Sequence, residues 1–128
     1  MEEKSLVLCD SDVLIEVFDR NNANVISKLA SFGTENLCIS SVSFSEILCG
    51  SKDKRHLNFL QTKLEEFLLL ELKPDIDLVH RNLIVDYSLS HGLRIQDALV
   101  AATALTYEIP LYTLNVKDFK FIEGLLLF

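Results

Sequence analysis

The chain has 128 residues, of which 49% are hydrophobic and 24% are charged, and its formal net charge is −7 at pH 7. A chain this apolar can bury enough surface to fold, which excludes disorder, and its length predicts one domain spanning residues 1–128. Its apolar runs fall far short of the roughly 20 residues of a membrane span, and the opening Glu2 and Glu3 argue against a secretory signal.

The first half of the chain alternates short apolar runs with helical patterns. Residues 6–9 are continuously apolar, as is typical of a buried strand, and a short helix follows over 12–18. A helical stripe over 25–32 ends at a glycine, and residues 37–39 form a second predicted strand. Ser41 is then expected to cap a helix that ends at Gly50.

The second half repeats this alternation. Leucines at steps of three and four predict a helix over 57–67, and a further helix is expected to be capped by Asp75 or Asp77. The pattern over 95–107 is apolar on nearly every side, so we expect that helix to be buried. Three more strands are predicted at 68–70, 111–113 and 125–127.

The three cysteines are an odd number without C-x-x-C spacing, which indicates neither a disulfide framework nor a zinc site. Cys9 and Cys38 lie in apolar runs, so we expect them to be small buried hydrophobic residues. This cysteine usage is typical of a reducing compartment and predicts a cytoplasmic protein.

Apolar strands joined by helices indicate a parallel sheet that is covered on both faces. The predicted fold is therefore a three-layer α/β/α sandwich with a central parallel sheet of about five strands. In such sheets, sites form at the carboxyl ends of the strands, where the strand order reverses.

Four acidic residues can face that edge: Asp10 after the first strand, Glu46 in the helix after the second, Asp97 in the buried helix and Asp118 after the fourth strand. Each has an ordinary structural interpretation. Asp10 and Asp118 are typical of turns or helix caps, and Glu46 is typical of an exposed helix face. Asp97 can complement the helix dipole or pair with Arg94. Their combination is harder to explain in this way.

Four segments resemble, in order, the motifs of the PIN-domain ribonucleases. Residues 10–15 are similar to the D-x-[ND]-V-L-I pattern, and residues 41–50 to S-x-x-x-x-E-[LI]-x-x-G. Residues 92–102 contain an Asp before A-x-[IV]-A-A, and residues 113–119 match T-x-N-x-x-D-F. Order, spacing and length resemble those of the small VapC-like toxins of toxin–antitoxin pairs.

The resemblance implies a PIN-like α/β nuclease that cleaves RNA with Mg²⁺ or Mn²⁺ and holds the ion through Asp10, Glu46 and Asp97. Members of the family place a fourth acid at the position of Asn115 or at that of Asp118. Only Asp118 is acidic in this sequence, so we expect it to complete the catalytic and metal-binding set.

Three further residues are expected to support this site. Asn115 can serve as a neutral oxygen ligand or as a hydrogen-bond donor. Asp12 stands where the family more often has Asn, and its extra charge either tightens a second metal or disturbs the site. Thr113 is expected to orient a ligand or a phosphate through its hydroxyl.

Crowded carboxylates repel one another. Two unit charges about 5 Å apart cost roughly 3 kcal/mol at an effective dielectric constant near 20, so four together cost on the order of 15–20 kcal/mol. Without a cation, some would take up protons or move apart. Hard oxygen ligands suit Mg²⁺ or Mn²⁺ rather than zinc, and the sequence leaves open whether one ion or two bind.

Binding of RNA needs local positive charge, because phosphate affinity comes from Lys and Arg and the whole chain is acidic. The densest basic stretch is residues 52–56, a pattern that is also typical of a solvated loop before a helix. We expect RNA contacts from the basic residues in that stretch and near the motifs: Lys52, Lys54, Arg55, Arg94 and Lys117.

The resemblance also implies protein partners, because similar toxins form homodimers and bind antitoxins. Phe44 and Phe59 lie beside the apolar stripe of residues 57–67 and could extend it into such an interface. We therefore expect a homodimer and an antitoxin partner, and no membrane.

Two alternatives remain open from the sequence. Residues 10–12 also resemble the D-x-D motif of haloacid-dehalogenase-like phosphatases, in which Asp10 would be the nucleophile. Those enzymes have Thr where this chain has Leu14. The other alternative is a non-catalytic PIN-like binding module, and the retention of all four acids argues against it.

Overall fold

A computed structural model describes residues 5–128 and confirms the predicted α/β class. Glu2 and Glu3, on which the expectation about a secretory signal rests, lie outside the described residues. The strands are β1 (Val7–Cys9), β2 (Leu37–Ser40), β3 (Leu68–Leu70) and β4 (Leu111–Tyr112). The helices are α1 (Ser11–Phe18), α2 (Ala23–Phe32), α3 (Ser41–Cys49), α4 (Lys54–Leu64), α5 (Pro74–His91) and α6 (Ile95–Tyr107).

The sheet is parallel, with the strand order β3-β2-β1-β4. The chain builds outward from β1 to β3 and then returns to the other side of β1, so the order reverses beside β1. The prediction of about five strands is corrected to four within residues 5–128. The segment 125–127 contributes a single parallel bridge between Leu111 and Leu127, because β4 is only two residues long and offers little ladder to pair with.

Helices cover both faces of the sheet and give the predicted three layers. On one face, Leu8, Cys38 and Leu111 pack with residues of α5 and α6. On the other face, Cys9 and Ile39 pack with residues of α1 to α4. Neighbouring residues of a strand point to opposite faces, so continuously apolar strands supply both cores. Cys9 and Cys38 are buried, as predicted.

The helix starts are set by polar residues at the strand ends. The side chain of Asp10 accepts a hydrogen bond from the backbone nitrogen of Ser11 and caps α1. Ser40 rather than the predicted Ser41 caps α3, since the Ser40 hydroxyl accepts from the backbone nitrogen of Ser43. For α5, the prediction of an aspartate cap is wrong, because the helix begins at Pro74, whose fixed φ suits the first helical position.

Helix α6 is buried along most of its length, as its all-round apolar pattern predicts. It packs against α5 on the same face of the sheet, and Gly92 ends α5 in the left-handed conformation that the turn between the two helices needs. Among the residues that the structure describes, no helix is long and apolar enough to cross a membrane.

Candidate metal centre

The candidate site lies at the carboxyl edge of the sheet, where the strand order reverses. Asp10 directly follows β1 and Thr113 directly follows β4, and these two strands are parallel neighbours. The Thr113 hydroxyl donates to Asp10 Oδ2 over 2.9 Å. Asp10 is only 6% exposed and Thr113 is also buried, so the topology fixes this contact beneath the surface of the site.

Asp12 joins the same cluster from the first turn of α1. Its Oδ2 accepts from the backbone nitrogen of Leu114 over 3.0 Å and from Asn115 Nδ2 over 3.1 Å, and it lies 3.4 Å from Thr113 Oγ1. The other oxygen, Oδ1, is buried without a hydrogen-bond partner among the described residues. Asn115 is therefore a hydrogen-bond donor to Asp12. This is one of the two roles that the sequence left open for Asn115.

Glu46 and Asp97 approach from the helix layers. Glu46 lies in the second half of α3, and Asp97 lies in the first turn of α6. Arg94 Nη2 is 3.6 Å from Asp97 Oδ2, so the pairing considered from the sequence is present. Asp97 is half-buried, and Glu46 is the more exposed of the two.

Asp118 ends a short 3₁₀ turn, Val116–Asp118, that follows the loop carrying Thr113 and Asn115. Its carboxylate contributes a negative charge that raises the pKa of Asp97. The same turn carries the exposed Lys117. Asp118 therefore belongs to the same electrostatic neighbourhood as Asp97, on the side of the site formed after β4.

The acidic residues shift one another's pKa values. Burial, together with the charge of Asp12, raises the pKa of Asp10 to about 7, although the hydrogen bond from Thr113 opposes the shift. Partial burial and the charge of Asp97 raise the pKa of Glu46. Burial also raises the pKa values of Asp12 and Asp97. The charged forms of these carboxylates are therefore disfavoured unless a cation lies nearby.

These residues fit a hard divalent cation by their chemistry. Every candidate ligand is an oxygen, and Asp12 presents a buried oxygen without a partner among the described residues. As the side chains stand in residues 5–128, no three acidic, cysteine or histidine groups are close enough to share one ion.

The basic residues predicted to contact RNA fall into two groups. Arg94 and Lys117 lie beside Asp97 and Asp118. Lys52, Lys54 and Arg55 are exposed just before and at the start of α4. Next to them, His56 Nε2 lies 3.0 Å from Asp19 Oδ1 at the end of α1, and Asp10 lies at the opposite end of that helix. The length of α1, about 12 Å, therefore separates this group from Asp10.

Three polar residues escaped the sequence interpretation, and two of them lie near this edge. Ser40 is fully buried at the end of β2 and caps the helix that carries Glu46. Ser43 is also fully buried, and its hydroxyl has no partner among the described residues. His56 joins the start of α4 to the end of α1 through Asp19. A polar residue directly after an apolar strand was the available signal for Ser40.

Comparisons with known proteins identify the family of this chain. The PIN domain family model matches residues 7–123. Ribonuclease VapC of Rickettsia bellii (strain RML369-C) is 32% identical over an alignment of 108 residues, and the match covers 78% of this chain and 81% of that protein.

Solved structures show the same fold. A toxin–antitoxin complex from Klebsiella pneumoniae aligns with a TM-score of 0.80 and 26% identity, covering 94% of this chain and 95% of that one. VapBC2 from Rickettsia felis, bound to a promoter DNA fragment, aligns with a TM-score of 0.83 and 22% identity, covering 96% and 97%. The predicted family is thereby confirmed: the chain belongs to the PIN domain family, among the relatives of ribonuclease VapC.

Proposed function

We propose that this chain is a metal-dependent endoribonuclease, one nuclease domain that acts as the toxin of a VapBC-type pair. The observation that carries the proposal is the convergence of Asp10, Asp12 and Thr113 at the strand-order reversal. Glu46, Asp97 and Asp118 extend that cluster electrostatically. The curated relatives named ribonuclease VapC support the reaction.

In this proposal Asp10, Glu46, Asp97 and Asp118 hold Mg²⁺ or Mn²⁺. When bound, such an ion supplies Lewis-acid polarisation of a phosphodiester oxygen and lowers the pKa of water. Thr113 holds Asp10 through its hydroxyl, and Asn115 holds Asp12 through its amide. These hydrogen bonds hold the carboxylates of Asp10 and Asp12 in place before substrate binds. The two side chains therefore need little reorganisation during the reaction.

The RNA backbone is bound by Arg94 and Lys117 beside the acids and by Lys52, Lys54 and Arg55 just before and at the start of α4. Attack by water adds its oxygen to the phosphorus and expels the 3′ oxygen, which takes up a proton. The products therefore carry 5′-phosphate and 3′-hydroxyl ends. This outcome distinguishes hydrolysis by water from attack by the neighbouring 2′-hydroxyl, which would leave a cyclic phosphate.

The protein partners are part of the same proposal. A solved structure with this fold is described as a toxin–antitoxin complex, which supports an antitoxin partner for this chain. The homodimer is proposed from the resemblance to similar toxins alone. Phe59 is 45% exposed and can contribute to such a surface, whereas Phe44 packs against the core on the α1–α4 side. Sedimentation equilibrium of the purified chain, alone and with a co-expressed partner, tests both expectations.

The test is cleavage of a mixed-sequence single-stranded RNA with Mg²⁺ or Mn²⁺. We expect Asp10→Asn, Glu46→Gln, Asp97→Asn and Asp118→Asn each to lower the rate at least about 100-fold with the fold preserved, as judged by circular dichroism. The matched control is Asp77→Asn, because Asp77 pairs with Arg81 on the exposed surface of α5. Full activity in a folded variant of the four would remove that residue from the site.

The same assay decides between this function and the alternatives. The family match gives no support to a phosphatase that uses Asp10 as nucleophile, and we expect no hydrolysis of a small phosphomonoester. A non-catalytic binding module would bind RNA without cutting it under any divalent metal. RNA binding without cleavage would therefore contradict the proposed function.

A further inference from the structure

Arg94 brings a positive charge directly onto the acidic cluster. Of the ion pairs within residues 5–128, only the Arg94–Asp97 pair involves one of the four proposed ligands. The guanidinium also lowers the pKa of Glu46, against the burial and the charge of Asp97 that raise it. Arg94 therefore offsets part of the negative charge on the α3 and α6 side of the site.

The Arg94–Asp97 ion pair is long, and its arginine is largely exposed. Its 3.6 Å separation exceeds the roughly 2.7–2.9 Å of a hydrogen-bonded ion pair, and the Arg94 side chain is 75% exposed. The backbone of Arg94, in contrast, is held at the N-cap position of α6 in an extended conformation. The charge is thus tethered at the rim while its guanidinium is free to change partners.

We propose that Arg94 is a tethered counter-ion of the metal centre, which pairs with Asp97 when no divalent ion is bound and with a substrate phosphate when one is. This inference rests on the proposed function and assigns Arg94 a second task beside its contact with RNA. A planar guanidinium suits both partners, because its donors match carboxylate and phosphate oxygens alike.

The exchange follows from charge. With a divalent ion held by Asp97, the Arg94 guanidinium would be repelled and would lose its carboxylate partner. The released side chain then lies at the rim of the site, where an RNA phosphate needs a cation. Arg94 should accordingly weaken metal binding in the absence of RNA and strengthen RNA binding in the presence of metal.

The experiment measures Mn²⁺ binding to the full chain without RNA, from the electron paramagnetic resonance signal of free Mn²⁺ at fixed ionic strength. Arg94→Gln should bind Mn²⁺ about three- to fivefold more tightly than wild type, as expected for loss of one exposed charge. Arg94→Lys, which keeps the charge, should remain within about twofold of wild type. Arg81→Gln is the control, since it removes an equal charge from an exposed pair on α5.

A second measurement, of RNA binding, should show that the same substitution weakens binding instead of strengthening it. At saturating Mn²⁺, Arg94→Gln should raise the KM for RNA about three- to tenfold with a smaller change in kcat. Both effects should shrink at high salt. If Arg94 acted only on folding, Arg94→Gln would not strengthen Mn²⁺ binding while it weakens RNA binding.

The outcomes separate this inference from the proposed function. If wild type binds Mn²⁺ but Arg94→Gln binds it equally or more weakly, the counter-ion role is overturned and the nuclease proposal stands. If Arg81→Gln tightens Mn²⁺ binding as much as Arg94→Gln does, the effect is one of net charge and the inference is overturned. If wild type binds no Mn²⁺, the proposed metal centre is overturned and the inference with it.

Discussion

At the scale of single residues, Thr113 joins the two halves of the candidate site. Its hydroxyl donates to Asp10 after β1, and its oxygen accepts from the backbone nitrogen of Asn115 in the loop after β4. A valine of the same shape would fill the space but could make neither contact. A residue 103 positions away in the sequence thus influences the charge state of Asp10.

We predict that Thr113→Val weakens Mn²⁺ binding at pH 7 about tenfold. The Thr113 hydrogen bond lowers the pKa of Asp10, so its loss favours the protonated carboxyl, and a ligand must be deprotonated to bind metal. Isothermal titration calorimetry measures the change. Thr113→Ser is the control that keeps the hydroxyl and should retain most of the affinity, whereas wild-type affinity in Thr113→Val would contradict this role.

The raised pKa of Asp10 predicts a pH-dependent stability in the absence of metal. Its pKa is about 7 in the folded chain and 3.8 ordinarily, so the folded state binds more protons than the unfolded state between these values. Stability from this group is therefore full below about pH 4 and is lost as the pH rises through about 7. We expect wild type to lose about 2–4 kcal/mol relative to Asp10→Asn between about pH 4 and pH 8.

Urea unfolding in EDTA across this pH range tests that expectation. The comparison with Asp10→Asn cancels the contributions of other titrating groups that the two proteins share. Saturating Mg²⁺ should remove the loss in wild type, because metal binding favours the charged carboxylate. A difference between the two proteins that is independent of pH would show that Asp10 titrates normally.

At the scale of elements, the sequence predicts strands β1 to β4 to within one residue at either end and fails on the fifth predicted strand. Helix periodicity depends only on local spacing and locates α2 and α6, whereas α4 covers Lys54–Leu64 rather than the predicted 57–67. The run at 125–127 is typical of a strand by composition, yet it makes one bridge and leaves Leu126 65% exposed. Strand pairing depends on which partner the fold supplies, and no local pattern contains that information.

The edge strand β3 illustrates the same limit. Its run of three leucines predicts a buried strand, but Leu68 and Leu69 are exposed and only Leu70 is buried. β3 pairs with β2 alone in the sheet order, so one side of the strand lacks a neighbour within the described sheet. A continuous apolar run therefore predicted the strand correctly and its burial incorrectly.

The turn between α5 and α6 positions Arg94 and Asp97 and depends on glycine. Gly92 has φ +65° with open space where a β-carbon would stand, whereas Gly50 has φ −83° and ordinary contacts. We predict that Gly92→Ala lowers the free energy of unfolding by about 1 kcal/mol, the cost of a left-handed alanine. Gly50→Ala is the matched control.

Chemical denaturation gives the comparison directly. Gly50→Ala should change the free energy of unfolding by no more than about 0.5 kcal/mol, because its φ suits any residue. Equal losses in the two variants would mean that backbone conformation at Gly92 does not limit the turn. A strongly reduced Mn²⁺ affinity in Gly92→Ala would further link this turn to the placement of Asp97.

At the scale of the whole molecule, the site could be located from the sequence because the fold is topologically simple. Carboxyl ends of parallel strands meet at one edge, so Asp10 and Thr113 had to be neighbours once β1 and β4 were adjacent. Two features of the site could not be predicted from the sequence. One is the Asp12 oxygen that has no partner among the described residues, and the other is the Arg94–Asp97 distance. Both depend on side-chain conformation, which motif spacing does not encode.

The acidic balance of the chain bears on RNA binding under the proposed function. A net charge of −7 would disfavour RNA binding, yet the carboxylates at the sheet edge are the groups a divalent ion would neutralise. Under the proposed function, the metal ion would therefore favour RNA binding in addition to supporting the cleavage reaction. RNA affinity should rise with Mg²⁺ before any cleavage is detected.

Anomalous diffraction from crystals grown with Mn²⁺ would locate the ion itself. We predict a manganese peak at the carboxyl edge of the sheet, roughly 2.1 Å from carboxylate oxygens of at least two of the four proposed ligands: Asp10, Glu46, Asp97 and Asp118. The same crystals of Asp10→Asn should show a much weaker peak. A manganese peak elsewhere on the molecule, with none among these carboxylates, would contradict the metal centre.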